Sequence, residues 1–277
     1  MDNLFPEEDV IVLIDFSITT SVNIDGNKKI YHIGKEKGIL KHTTFQNLSG
    51  YDFYSENGQI YFLSKIRDKY PTEGYNAVFY LEIPKGEKID LKTIISCSKK
   101  EIYLNQPTTS QILSSWDDSF LYKHEKRGEN GIIFQYGLRP PQTGALHSIL
   151  AHWSISNKPA LVVMPTGTGK TETMLCLSVA NTCDKILLVV PSDSLRTQIA
   201  NKFIKLGILK DPKFEIIKYK ALNPRVTILK TGIKNTEQAL EILDSNIIIS
   251  TPQILSGLIK EGRLDILDLI IQQCNYL

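Results

Sequence analysis

The first half of the chain is built from short blocks of branched and aromatic residues. Residues 10–17 (VIVLIDFS), 22–24, 29–33, 52–54, 59–63 and 77–83 (AVFYLEI) predict β-strands. Asp25-Gly26 and Asn57-Gly58 lie between pairs of these blocks. Both dipeptides tolerate the positive φ of a two-residue turn, so they predict tight hairpins. The block at 77–83 stops at Pro84. A Pro-, Thr- and Ser-containing stretch over 107–115 follows. Residues 123–130 (KHEKRGEN), charged and Gly-containing, then predict a linker.

From about residue 132 the pattern changes. Pro140 and Pro141 can open a helix, because the first helical residues have no acceptor for the amide that proline lacks; this helix is predicted to run through Trp153. The runs at 160–164 (ALVVM), 186–190 (ILLVV) and 247–250 (IIIS), with 226–229, are apolar without alternation. That pattern predicts strands buried on both faces. Helices are predicted to about Asn181, from Ser192 to about Leu206, and over 236–244, 252–260 and 264–273. Strands that alternate with helices imply a parallel sheet. The expected fold class is α/β: a β-rich domain over residues 1–131, then a domain with a parallel sheet over 132–277.

Composition sets the class. The 277 residues are 42% hydrophobic and 22% charged, as in an ordinary globular protein. No apolar run approaches the roughly 18 residues of a membrane span, and the start, MDNLFPEEDV, lacks a basic signal region. A cytoplasmic protein without a membrane partner is expected. Cys97, Cys176, Cys183 and Cys274 form no C-x-x-C pair, and their spacing to His147 and His152 fits no common metal pattern. His32, His42 and His124 read as surface histidines.

Charge is uneven. Residues 1–138 carry 16 Lys/Arg against 19 Asp/Glu, and residues 139–277 carry 16 against 11. The densest stretch, 196–234, holds ten basic and two acidic residues. This suits a polyanionic partner, and equally a solvated Lys-rich face.

Met164 is followed by Pro165, Thr166, Gly167, Thr168, Gly169, Lys170 and Thr171, between a predicted buried strand and a predicted helix. That is the context of a phosphate-binding loop. Gly167 and Gly169 let successive N–H groups point into one concavity, at the positive end of the helix that follows. Lys170 would reach the terminal phosphates of ATP and serve catalysis. The Thr171 hydroxyl would be the metal ligand, on Mg²⁺. Met164 stands where the strict pattern has glycine.

With that loop, the chain resembles the superfamily 2 helicases, especially the DEAD/DEAH-box proteins grouped with UvrB and type III restriction subunits. Leu138-Arg139-Pro140-Pro141-Gln142 resembles the family's upstream adenine-recognition motif. The resemblance implies that Arg139 and Gln142 join the nucleotide site, since a Gln amide can pair with the N6 and N7 edge of adenine. Pro191, Ser192 and Arg196 stand in a stretch similar to motif Ia. Thr251 and Pro252 stand in one similar to motif Ib. Both motifs line the nucleic-acid strand in that family; Ser192 and Thr251 can equally be helix caps. The resemblance covers about residues 138–277 and implies a RecA-like motor domain that uses ATP and Mg²⁺ on nucleic acid, DNA in preference to RNA.

The family also needs an acidic D-E-x-H or D-E-x-D motif at the end of another buried strand. No hydrophobic block of this chain ends in Asp-Glu, and Asp117-Asp118 lies upstream of the loop. Asn275-Tyr276-Leu277 looks like the first residues of the strand that would carry it. The RecA-like domain is therefore expected to be incomplete, with exposed apolar strand edges and poor hydrolysis by these residues alone. A second reading is a non-enzymatic ATP-dependent nucleic-acid-binding module that works with a separate catalytic chain. A small-molecule kinase would leave the other motif matches unaccounted for.

Overall fold

A computed structural model of the chain describes residues 10–25, 27–56, 58–104, 107–218, 220–231, 233 and 235–277, with side chains outside 10–21, 27–36, 101, 103–104 and 236. The elements in chain order are β1 (Val10–Ile24), β2 (Asn27–Phe45), β3 (Leu48–Ser55), β4 (Ile60–Ser64), β5 (Ala77–Glu82), α1 (Leu91–Ser96), β6 (Ser98–Leu104) and α2 (Thr109–Trp116). They continue with β7 (Lys126–Arg127), β8 (Ile133–Gln135), α3 (Pro140–Ile155), α4 (Lys170–Ala180), β9 (Ile186–Val189), α5 (Asp193–Lys205) and β10 (Val226–Ile228). The last are α6 (Thr236–Leu243), β11 (Ile247–Ser250), α7 (Pro252–Lys260) and α8 (Leu264–Gln273). Two compact units form: Met1–Thr20 with His32–Pro107, and Ser21–Tyr31 with Thr108–Leu277.

The first unit is a mixed sheet in the order β6-β5-β4-β3-β2. β2, β3 and β4 are antiparallel neighbours, β4 and β5 are parallel, and β6 closes antiparallel on β5. The β2–β3 turn falls at Gln46 and Asn47, both with positive φ, as a two-residue hairpin with right-handed twist requires. β3 pairs with β4 around Asn57-Gly58, as the dipeptide predicts; Asn57 itself, like Gly26, lies outside the described residues. Leu40, Tyr51, Phe53, Tyr61, Leu63, Phe79 and Leu81 alternate onto one face and bury against Ile94 of α1.

The second unit is α/β. Its parallel ladder runs from residues 22–24 at the end of β1 through β10 and β11 to β9. Leu187 and Ile248 pack on α6, α7 and α8 through Ile242, Leu258, Ile266 and Ile270. Side chains alternate across a strand, so Ile247 and Ile249 face the other way, toward α5, where Ala200 and Phe203 are fully buried. The stretch around 107–115 is a helix that its composition did not signal. Thr108 and Gln111 form a reciprocal capping box at its start. Residues 123–130, expected as a linker, carry β7, which pairs with β8 inside this unit.

One predicted strand does not form. Residues 160–164 have no strand pairing, and Leu161 and Val163 are 92% and 86% exposed. A strand exists only through a neighbour's hydrogen bonds. No described strand runs beside this stretch, so branched composition alone does not make it one. At the free side of β9, Tyr276 begins a parallel bridge with Ile186, and Leu187 N donates to Tyr276 O at 2.9 Å.

Candidate nucleotide and nucleic-acid site

α4 begins directly at Lys170. Gly169 is its N-cap at φ 94° and ψ 45°, with no side chain supplying the cap. The first-turn N–H groups of any helix lack an internal acceptor. Here they open toward the loop that Gly167, at φ 80°, turns back on itself. Within the loop, Thr168 closes a turn on the Pro165 carbonyl through its amide at 3.4 Å and its hydroxyl at 2.7 Å. Pro165, Thr166, Gly167 and Lys170 are exposed, and Thr171 is half-buried. Lys170 and Thr171 side chains engage no partner among the described residues. An anion at the loop would meet a free ammonium, a free hydroxyl and a set of unsatisfied amides, a donor set that fits phosphates and a hard cation.

Arg139 and Gln142 are brought to this loop, on the side of its backbone. Gln142 is 1% exposed. Its Oε1 accepts from Arg139 N at 2.8 Å, and its Nε2 reaches the Gly169 carbonyl at 3.5 Å. Arg139 Nη1 donates to the Gly167 carbonyl at 3.0 Å. Both side chains therefore grip the loop.

Three supports were not evident from the sequence. Thr173 is buried and donates from its hydroxyl to the Gly169 carbonyl at 3.0 Å, with Met164 Sδ at 3.8 Å. Met164, the departure from the glycine pattern, is thus a buried thioether under the loop. Glu172 pairs with Lys202 of α5. The signal available for these is the spacing K-T-E-T on a helix whose core face begins at its fourth residue.

Burial pushes the Glu172 carboxyl up, but the hydrogen bond and charge of Lys202, with Arg139 beyond, hold it below its ordinary 4.5. A carboxyl depressed in the folded state stabilises above its unfolded pKa, and that contribution is lost as pH falls through the folded value. Glu172→Gln is expected to flatten the acid limb of the stability profile below pH 4.5 and to change neutral stability by less than about 1 kcal/mol, since the pair is part-exposed. Equal acid limbs in parent and variant, followed by thermal melts, would reject this.

The motif Ia and Ib residues come together at the carboxyl ends of neighbouring strands. β9 and β11 are paired in register through Val189 and Ser250, and Val190 N donates to Ser250 O at 3.0 Å. Pro191 and Ser192 are exposed, and Ser192 caps α5 by accepting from Leu195 N at 3.4 Å. Pro252 is the exposed first residue of α7, whereas Thr251 is buried and its hydroxyl makes no cap bond. Arg196 lies on the core face of α5 and is 4% exposed. Its Nη1 sits 2.9 Å from Asp193 Oδ1 as an ion pair without hydrogen-bond geometry, and its Nε has no acceptor among the described residues.

The basic stretch divides in the same way. Arg196, Lys202 and Arg225 pair with Asp193, Glu172 and Asp244. Lys205, Lys213, Lys218, Lys220 and Lys230 are exposed, and Lys234 lies outside the described residues.

Residues 135–271 match the family described as "Type III restriction enzyme, res subunit". Over 189 residues the chain is 28% identical to "Reverse gyrase 2" of Sulfolobus acidocaldarius, a match that covers 57% of this chain and 14% of that protein. No solved structure matches the chain. No helix among the described residues is long and apolar enough to cross a membrane. With a phosphate loop opening α4 on a parallel sheet, and with these two matches, the second unit is a RecA-like domain of the type III restriction res-subunit kind, within the superfamily 2 helicases.

Proposed function

We propose that the second unit binds ATP with Mg²⁺ and lays a nucleic-acid strand, DNA in preference to RNA, across the carboxyl ends of β9 and β11. It would act in the cytoplasm as part of a helicase or translocase motor. The observation that carries this reading is the loop itself. Lys170 and Thr171 have no side-chain partners among the described residues, while Arg139, Gln142 and Thr173 hold the backbone carbonyls of Gly167 and Gly169. Mg²⁺ would lie on Thr171 and neutralise phosphate charge. Lys170 would hold the terminal phosphate, and Ser192 and Pro252 would face the strand. Arg196, buried on α5 with an Nε that has no acceptor among the described residues, would have to be uncovered before it reached a phosphate oxygen.

A polypeptide of these 277 residues is proposed to turn ATP over poorly, because no Asp-Glu pair follows any of its strands to orient the attacking water. The test is binding of a fluorescent ATP analogue together with ATP turnover. Lys170→Ala is expected to weaken binding by about tenfold or more, the scale of a lost charge-assisted contact. The parent should show little nucleic-acid-stimulated turnover. Stimulated turnover that Lys170→Ala abolishes would overturn the second statement and leave the first standing.

One observation favours the reading in which another chain completes catalysis. β9 has a partly paired edge at Tyr276. Such a surface suits an added strand. A fragment that carried the acidic motif and restored turnover in trans would support this version.

A further inference from the structure

The first unit holds a polar cluster that the motor reading does not use. The register of β2, β3 and β4 sets His42 opposite Tyr51 and Tyr51 opposite Leu63. With a side-chain period of two, His42, Ser49, Tyr51 and Lys65 share one face, where the buried core of the sheet runs out. His42 Nε2 lies 2.6 Å from Ser49 Oγ, and Lys65 Nζ donates to the same oxygen at 3.0 Å. The Lys65 ammonium also sits 5.0 Å from the ring centroid of Tyr51, whose edge meets the His42 ring. No carboxylate among the described residues pairs with Lys65 or His42.

The turn that follows Lys65 is held by a buried hydroxyl. Ser64 is buried, and its hydroxyl holds the turn by donating toward the Ile66 and Lys69 carbonyls at 2.6 and 2.9 Å while accepting from Ile66 N at 3.1 Å. Arg67, Asp68 and Lys69 stand exposed on it. A half-buried ammonium without a counter-charge is costly. Burial holds the Lys65 pKa below its ordinary value. The cluster thus offers an ammonium just past the end of β4, an imidazole from β2 and a hydroxyl from β3, all able to donate and none carrying negative charge.

We propose that His42, Ser49 and Lys65 form an anion site for a tetrahedral phosphate group, in which phosphate oxygens accept from Lys65 Nζ in place of Ser49 Oγ, from the Ser49 hydroxyl and from the N–H form of His42 Nε2. The phosphate could belong to a free phosphate or nucleotide, or to a nucleic-acid backbone, and the same three donors would serve both. The site stands on its own geometry and does not depend on nucleotide binding at Gly167–Thr171.

The test uses the ¹⁵N-labelled full chain carrying Lys170→Ala, so that phosphate held at the other loop contributes least. The imidazole resonances of His42, assigned with His42→Gln, are followed against inorganic phosphate, a 5′-phosphorylated thymidine dinucleotide, and sodium chloride at matched ionic strength. The expected result is a saturable shift with at least one phosphate probe and none with chloride. A shift with inorganic phosphate assigns the site to free phosphate groups; a shift with the dinucleotide alone assigns it to a backbone. Lys65→Met should weaken the response by about tenfold, the scale of one charge-assisted hydrogen bond. Lys65→Arg should largely restore it, because guanidinium also suits phosphate. No saturable shift with either probe, or an unchanged midpoint in Lys65→Met, overturns the proposal.

Discussion

Gly169→Ala is expected to weaken ATP-analogue binding by about a hundredfold while leaving the first unit folded. Two costs combine at this residue. Its φ of 94° lies where an L-residue is strained, at roughly 1–2 kcal/mol. An added Cβ would also lie 2.1 Å from Gln142 Nε2 and 2.7 Å from Arg139 Nη2. Gln142 is buried and holds the start of α3, so it cannot simply swing away. Together about 3 kcal/mol would fall on the loop, which is about two decades of affinity. Gly167→Ala is the control, because its φ is also positive but no atom lies within 4 Å of the added carbon. It should show only the strain cost, about tenfold. Titration of both variants, with circular dichroism to confirm folding, decides the matter. Equal losses at the two positions would show that the contact with Arg139 and Gln142 has no weight.

Trp116→Ala is expected to cost the most stability in the second unit. Trp116 is 1% exposed, and its Nε1 donates to Leu222 O at 2.8 Å. The neighbouring Ser115 hydroxyl accepts from Leu222 N at 2.8 Å. The end of α2 thereby satisfies both backbone groups of a residue that lies in no helix or strand. Removing the indole leaves a large cavity, at about 3–5 kcal/mol, and strands the Leu222 carbonyl at about 1–3 kcal/mol more. Domains are stable by only about 5–15 kcal/mol. Trp116→Phe keeps most of the packing and isolates the hydrogen bond, at about 1–3 kcal/mol. Denaturant unfolding followed by Trp153 fluorescence reads the same unit. A loss below about 1 kcal/mol in the alanine variant would contradict the argument.

Much of the second unit was legible because its elements are locally encoded. The run at 247–250 has no alternation and is buried at every position. Ser192 is followed by a helix and does cap it. Pro140 and Pro252 open helices where a missing amide costs nothing. The loop could be read because phosphate chemistry demands glycine, lysine and threonine at a short fixed spacing. The count of charges left the use of the basic stretch open for a physical reason. A count of lysines and arginines cannot tell Lys205, which is exposed, from Arg196, which is buried among the core positions of α5. The 107–115 helix was missed because Ser and Thr weigh against a helix interior yet favour its cap.

The sequence by itself determined most elements of the second unit, their order and the Gly-rich loop that opens α4, since each depends on residues a few positions apart. Tertiary structure decided what depends on distant partners. It left residues 160–164 without a ladder, because branched side chains favour extension but only a neighbouring strand supplies hydrogen bonds. It turned Gln142 inward onto the Gly169 carbonyl, a contact across 27 positions. It also set His42, Ser49 and Lys65 within reach of one another, because antiparallel register rather than sequence distance determines which side chains share a face.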